Sequence, residues 1–290
     1  MKKLLVAVLA MLMLLTGCSS ANVAPTNSKN AVMSIGNESV TNEDLYYMLM
    51  YSEYGSLDVI IESLETAIYD KIAPIDEEIE AEAKKIVEDY KKTYGDYFEL
   101  VISYSGYETE EDFYNQSAIP NARYVKMVSQ YVDLKFATLS VTSKPRKVQV
   151  ASFAEEENAN NALAALNNGK AMSEVISEFN AEATHDGEEI VVTSSATTTL
   201  DTDVLNVVCA TAVNGVIQNV ISGSDKKFYV VNMVEADPEN FREEAIDAIA
   251  NTVDLYQDSL RYYLKEYNFK ISDTYTHKLF EATYPDYIFD

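Results

Sequence analysis

Cys18 is the residue whose setting points most directly to chemistry. Leu15-Thr16-Gly17-Cys18 places a thiol behind small residues at the end of an apolar run. Lys2 and Lys3 supply a basic start, and Leu4 to Leu15 is almost unbroken apolar sequence. The run is shorter than the roughly 20 residues a membrane span needs, so the order reads as a secretory signal. It matches a lipobox, which implies cleavage before Cys18 and a diacylglyceryl group on the sulfur; an ordinary signal peptide cut elsewhere is the alternative. Each buried methylene adds roughly 0.8 kcal/mol, and stable anchoring takes more than one chain, which a two-chain glyceride supplies. Residues 1–17 are therefore expected to be a signal peptide and 18–30, polar with Pro25 and several Asn and Ser, a lipidated flexible tether. The expected location is the outer face of the cell membrane, held by lipid.

Other reactive residue types are sparse. Cys209 would be the one remaining thiol, which excludes an internal disulfide; its neighbours Val207, Val208 and Ala210 make it a buried small hydrophobe. His185 sits beside Asp186, but no serine or cysteine nucleophile accompanies them in a recognisable motif, so it reads as an exposed loop histidine. The acidic runs Asp76 to Glu82 and Glu155 to Glu157 lack the loop spacing of a calcium site and read as solvated helix faces. No Walker loop, dinucleotide fingerprint or zinc signature is found, so neither a metal nor a cofactor is implied. With 22 basic and 47 acidic residues the net charge is −25. That charge excludes nucleic acid as a partner and disfavours lying flat on anionic lipid, while suiting solubility or basic partners. Tyrosine is abundant, at 21 residues. Its apolar body and polar tip suit either partial core at helix seams or a surface that holds unfolded segments weakly.

These residues must be positioned by elements the pattern makes legible. Ala31 to Ile35 and Glu38 to Val40 predict two short extended segments about a turn at Gly36-Asn37, and Thr41 with Asp44 predicts a helix cap. Gly55 should end that helix. Helices are expected over 57–72, from Asp76 to about Tyr94, to about Ser105, over 108–118 and over 121–139, with Pro120 dividing the last two. The character changes at Lys144-Pro145-Arg146. An alternating strand over 147–153, helices over 155–168 and 171–179, a strand over 189–192, a helical or buried stretch over 203–210 and a strand over 227–234 follow. Residues 241–267 read as one long helix with Ile246, Ile249, Val253, Tyr256, Leu260, Tyr263 and Leu264 on its apolar side, and Phe269-Lys270-Ile271 as a short strand. An apolar stripe at each end of the chain needs cover. The economical solution is an α+β molecule whose main helical domain is built from both ends, with a small α+β unit between: helical 31–143, inserted 144–236, and a completing helix and tail 237–290.

This order resembles the PrsA/SurA-type extracytoplasmic foldases, in which N- and C-terminal segments build a helical chaperone domain around a parvulin-type prolyl isomerase domain. Ser34 to Leu45 is similar to the start of their N-terminal domain. Leu166-Asn167-Asn168-Gly169-Lys170-Ala171-Met172 with Val175 and Phe179 resembles the parvulin helix-turn-helix, with Met172 where the family has Phe. Val213 to Ile217 resembles the family's late turn, and Phe228 to Val231 its last strand. The resemblance implies two histidines facing each other across the sheet; alignment instead puts Val150, or Gln149, at the first and Tyr229 at the second. It implies Met and Phe gripping a proline ring, where Leu200 and Leu205 stand here, and a glycine-rich segment reduced here to Asp186-Gly187-Glu188-Glu189.

Isomerisation requires twisting an amide against a barrier of about 18–20 kcal/mol, which a dry pocket favouring the twisted form lowers. Val150, Met172, Leu200, Leu205 and Tyr229 are the residues of such a groove, in degenerate form. The expected function is a membrane-anchored folding factor that binds unfolded, newly secreted polypeptides, with isomerase activity weak or lost. An active parvulin-type isomerase, or a surface lipoprotein binding one ligand on this scaffold, are the alternatives.

Overall fold

A computed structural model describes residues 28–35, 38–50, 56–179, 181–182, 185, 187–195 and 200–289. The signal sequence, Cys18, the tether up to residue 27, the Gly36-Asn37 turn, Tyr51, Tyr54, Gly55 and Asp186 lie outside the described residues.

The described chain runs β1 (Ala31–Ile35), β2 (Glu38–Thr41), α1 (Asn42–Met50), α2 (Ser56–Ile72), α3 (Glu77–Tyr94), α4 (Phe98–Tyr104), α5 (Glu110–Phe113), α6 (Ile119–Ser143), β3 (Arg146–Phe153), α7 (Glu156–Asn167), α8 (Met172–Glu178), β4 (Ile190–Val192), α9 (Thr202–Ala210), β5 (Gly215–Val216), β6 (Ile221–Ser222), β7 (Phe228–Glu235), α10 (Arg242–Thr252), α11 (Tyr256–Glu266) and α12 (Thr274–Thr283). This is an α+β fold, mostly helical, as the pattern of periodicities predicts. It divides into two compact units: residues up to Ile72 with those from Leu260, and residues Ala73–Ser259.

In the first unit β1 and β2 pair antiparallel, with Ile35 opposite Glu38. The Thr41 backbone N–H donates to Asp44 Oδ2 at 2.8 Å while Thr41 Oγ1 accepts from the Asp44 N–H at 3.2 Å, so the expected cap starts α1. Ile61, Ile68 and Tyr69 on α2 are buried, as are Leu260, Tyr263, Leu264 and Phe280 from the C-terminal segment. The Lys71 ammonium lies 5.2 Å from the Tyr267 ring centroid. The strand expected at Phe269-Lys270-Ile271 does not form. Asn268 turns into the left-handed region (φ 56°) and the Phe269 N–H donates back to the Leu264 carbonyl at 2.8 Å, closing the end of α11. The Phe269 ring then lies 5.9 Å from that of Phe280 on α12, a helix the aromatic pattern hid.

The second unit holds the sheet and the helices before and after it. Asp76 accepts from the N–H groups of Glu78 and Ile79 and caps α3, whose Ile79, Ala83 and Val87 are buried. A π-helical turn at Tyr114–Ala118 separates α5 from α6. Pro120 therefore breaks nothing; it occupies the first turn of α6, where its missing N–H has no bond to lose. Helix α6 packs against both α3 and α10, so a helix C-terminal to the sheet covers one N-terminal to it. At that seam Arg242 bonds Asp133 at 2.8 Å, and its guanidinium carbon lies 4.1 Å from the Phe136 ring centroid. The single helix expected over 241–267 is two helices. Val253 is extended, Leu255 is buried, and Asp254 accepts from the Tyr256 N–H to restart the helix as α11. The sheet order is β4-β3-β7-β5, with β6 also on β7, all antiparallel. The two-residue strands β5 and β6 are too short for alternation to reveal.

Candidate functional site

Alternation along β3 and β7 sends side chains to opposite faces of the sheet. Val148 and Val150 on β3, with Tyr229, Val231 and Met233 on β7, share one core with Val204, Leu205, Val208 and Cys209 of α9 and with Leu200. Ala151, Phe153 and Val230 face the other way, against α7 and α8, where Met172 and Val175 lie. Of the five residues expected to form a groove, four therefore come together: Val150, Leu200, Leu205 and Tyr229. Met172 lies across the sheet from them.

All four are core. Val150 is 1%, Tyr229 2%, Leu200 5% and Leu205 7% exposed, so no proline ring reaches them in this conformation. The strand register adds the cross-strand partners. Tyr229 stands opposite Ser152, and Val150 opposite Val231. The residue directly opposite Tyr229 in the ladder is thus Ser152, which is fully buried. Gln149 faces Asn232 instead, and their amides bond at 3.0 Å.

Around Tyr229 the polar groups are arranged by a tight turn and a helix start. Gly223 N–H donates to the Lys227 carbonyl at 2.9 Å, and this closes a turn carrying Asp225. The Tyr229 hydroxyl donates to Asp225 Oδ2 at 2.7 Å. Asp201, the N-cap of α9, accepts from the Asp203 N–H at 2.9 Å and from Ser224 Oγ at 2.6 Å. The Ser224 hydroxyl is the main cause of its lowered pKa, helped by backbone N–H groups. Burial first, then the bond to Asp225 and the charges of Asp225, Asp201 and Glu182, push the Tyr229 phenol well above its ordinary pKa, so it stays protonated.

Glu182 and His185, which precede β4, reach the same place. The Glu182 N–H donates to the Ser152 carbonyl at 2.7 Å, and the Glu182 carboxylate pairs with Lys227 at 2.8 Å. That contact raises the Lys227 pKa. His185 is buried at 7% exposure, with its ring 5.9 Å from that of Tyr229. The expectation of an exposed loop histidine is therefore corrected: the His185 ring is taken inside, against Tyr229. Cys209 is buried, as expected, and burial raises its thiol pKa.

Chemically, this arrangement holds rather than reacts. The phenol hydroxyl already donates a hydrogen bond to Asp225, the apolar side chains are closed on one another, and no group of three His, Cys, Asp or Glu capable of holding a metal occurs among the described residues. Ser152 and His185 were not legible as members of this cluster. Ser152 is signalled only by the alternation that sets it on the face of Val148 and Val150, and identifying its partner needed the register. For His185 no sequence signal was present.

The helical part of the same unit carries a second feature. Phe113 is buried beneath the rings of Tyr90, Phe98 and Tyr107, with centroids 5.0, 6.1 and 5.4 Å away.

No family model and no curated protein matches the chain. Among solved structures it is similar to the foldase protein PrsA from Streptococcus pneumoniae, at 17% identity over 89% of this chain and 100% of that one, with a TM-score of 0.48. It is also similar to the foldase protein PrsA from Lactococcus lactis (16% identity, 87% and 98% covered, TM-score 0.45) and to PrsA from Bacillus subtilis (12%, 88% and 98%, TM-score 0.40). With TM-scores below 0.5 the likeness assigns no residue a role.

Proposed function

We propose that this protein is a lipid-anchored folding factor on the outer face of the cell membrane, which holds unfolded secreted polypeptides and has little or no prolyl isomerase activity. The observation that carries the reading is the closed state of the sheet core. The side chains that would grip a proline are 1–7% exposed, and the tyrosine at the position of a facing histidine is bound to Asp225. Lowering a barrier of about 18–20 kcal/mol requires a site complementary to the twisted amide, and a filled core offers none. What the chain does present is a helical body in which α6 and α10, from either side of the sheet in sequence, pack together. That layout is the one the resemblance to PrsA/SurA-type foldases implies. Anchoring through Cys18 rests on Leu15-Thr16-Gly17-Cys18; among the described residues no helix is long and apolar enough to cross a membrane.

Two measurements test this. The purified protein should slow aggregation of several unrelated denatured proteins at near-stoichiometric ratios. In a protease-coupled proline-peptide assay its rate should match buffer. Selective binding of a single folded ligand with no effect on aggregation would reject the chaperone reading. A catalytic rate above buffer that falls in both Tyr229→Phe and Leu205→Ala would restore the isomerase reading instead.

A further inference from the structure

Helix α4, together with Tyr97 just before it, is apolar on two sides. Phe98 and Ile102 point inward and are buried at 4% and 1% exposure. Tyr97, Leu100 and Tyr104, spaced three and four apart on the opposite side, are 69%, 50% and 85% exposed. A surface helix ordinarily turns a polar face to water. Tyr90 and Tyr94, at the end of α3, extend the exposed aromatic surface, with their rings 5.6 Å apart. The platform is rigid underneath, because Tyr90 and Phe98 rest on the buried Phe113 ring. Its surroundings are strongly acidic: residues 88–112 hold eight carboxylates against two lysines, and Lys91 is already paired with Glu110 at 2.7 Å.

We propose that the Tyr90–Tyr104 face docks extended polypeptide segments in which Lys or Arg alternate with apolar residues. The inference rests on the folding-factor reading and names the segments that factor prefers. Tyrosine faces attract ammonium and guanidinium groups, and apolar side chains cover Leu100 and the ring edges. The surrounding carboxylates favour a cationic occupant. They also disfavour the two other occupants of an apolar face: a second copy of the chain brings the same negative charge, and an anionic lipid surface repels it.

The test uses the full chain and two labelled peptides, one of Lys, Arg, Leu and Gly, and its counterpart with Glu in place of every Lys and Arg. Fluorescence anisotropy should give about tenfold tighter binding of the basic peptide, weakening as salt rises. Tyr97→Ser/Leu100→Ser/Tyr104→Ser should lose about tenfold of that affinity with an unchanged circular dichroism spectrum. Tyr104→Ser alone, at the most exposed ring, should lose a smaller part and serves if the triple variant misfolds. Equal binding of both peptides, an unchanged Kd in both variants, binding to anionic vesicles in preference to the basic peptide, or concentration-dependent dimers abolished by the triple substitution would each overturn the proposal. Full aggregation suppression alongside any of those results would leave the folding-factor reading standing. Absence of both suppression and peptide binding would sink the two together.

Discussion

At Gly223 the backbone passes so close to the tyrosine cluster that a side chain has no room. A Cβ there would fall 2.5 Å from Asp225 Oδ1, 2.8 Å from Tyr229 Cε2 and 3.1 Å from Asp201 Cγ. Asp225 is held by two bonds, from the Tyr229 hydroxyl and the Lys227 N–H, so it yields only by breaking them. Gly223→Ala should therefore destabilise the protein by about 1–3 kcal/mol, the usual cost of overpacking. Urea unfolding checks it: the midpoint should fall at an unchanged slope. An unaltered midpoint would mean that the turn shifts freely and that the Tyr229–Asp225 bond is not a fixed part of the core. The same bond occupies the Tyr229 hydroxyl, and the Tyr229 ring is buried with the His185 ring 5.9 Å away.

Elements are set against one another by apolar stripes, and charges at their margins feel the neighbouring helices; Asp247 on α10, exposed at its surface, is one such charge. Partial desolvation by the packed helices raises its pKa; Glu82, Glu243 and Glu244 push the same way, and Lys85 opposes them. The folded state thus binds a proton more tightly than the unfolded chain, whose aspartate titrates near 3.9, at roughly the model-peptide value. The sign follows: the carboxylate is a penalty above the folded pKa, and the penalty is relieved as pH falls through that pKa. Asp247→Asn should raise the melting temperature at pH 7, and the gain should vanish toward pH 4 or so. A gain constant across pH would assign the effect to packing instead. At this scale most element types were legible, since caps such as Asp76 and alternation such as that of 147–153 are local. The break at Val253–Leu255 was not, because burial of Leu255 depends on what lies beneath it.

For the whole molecule, the proposed reading ties charge to anchoring. A net charge of −25 keeps the body soluble and repelled from anionic lipid, so the reading above requires a covalent tether to hold it at the membrane. Cys18→Ser should move the protein from the membrane pellet to the soluble extracytoplasmic fraction while leaving aggregation suppression intact. Pelleting of both forms would place the anchor elsewhere. The exposed tyrosines at α4 belong to this scale too, because their worth depends on the acidic field around them.

The sequence by itself determined the α+β class, the switch from helical to alternating pattern at 144–146, the caps, the acidity and the lipobox, because each is written in neighbours a few residues apart. Only the tertiary structure decided that Ser152 faces Tyr229, that Met172 lies across the sheet from the other four expected groove residues, that His185 is inside, and that α4 shows apolar side chains to water. The physical reason is common to all four. Strand register, the face a loop closes over and the exposure of a helix side are set by partners distant in sequence, and no local period encodes them.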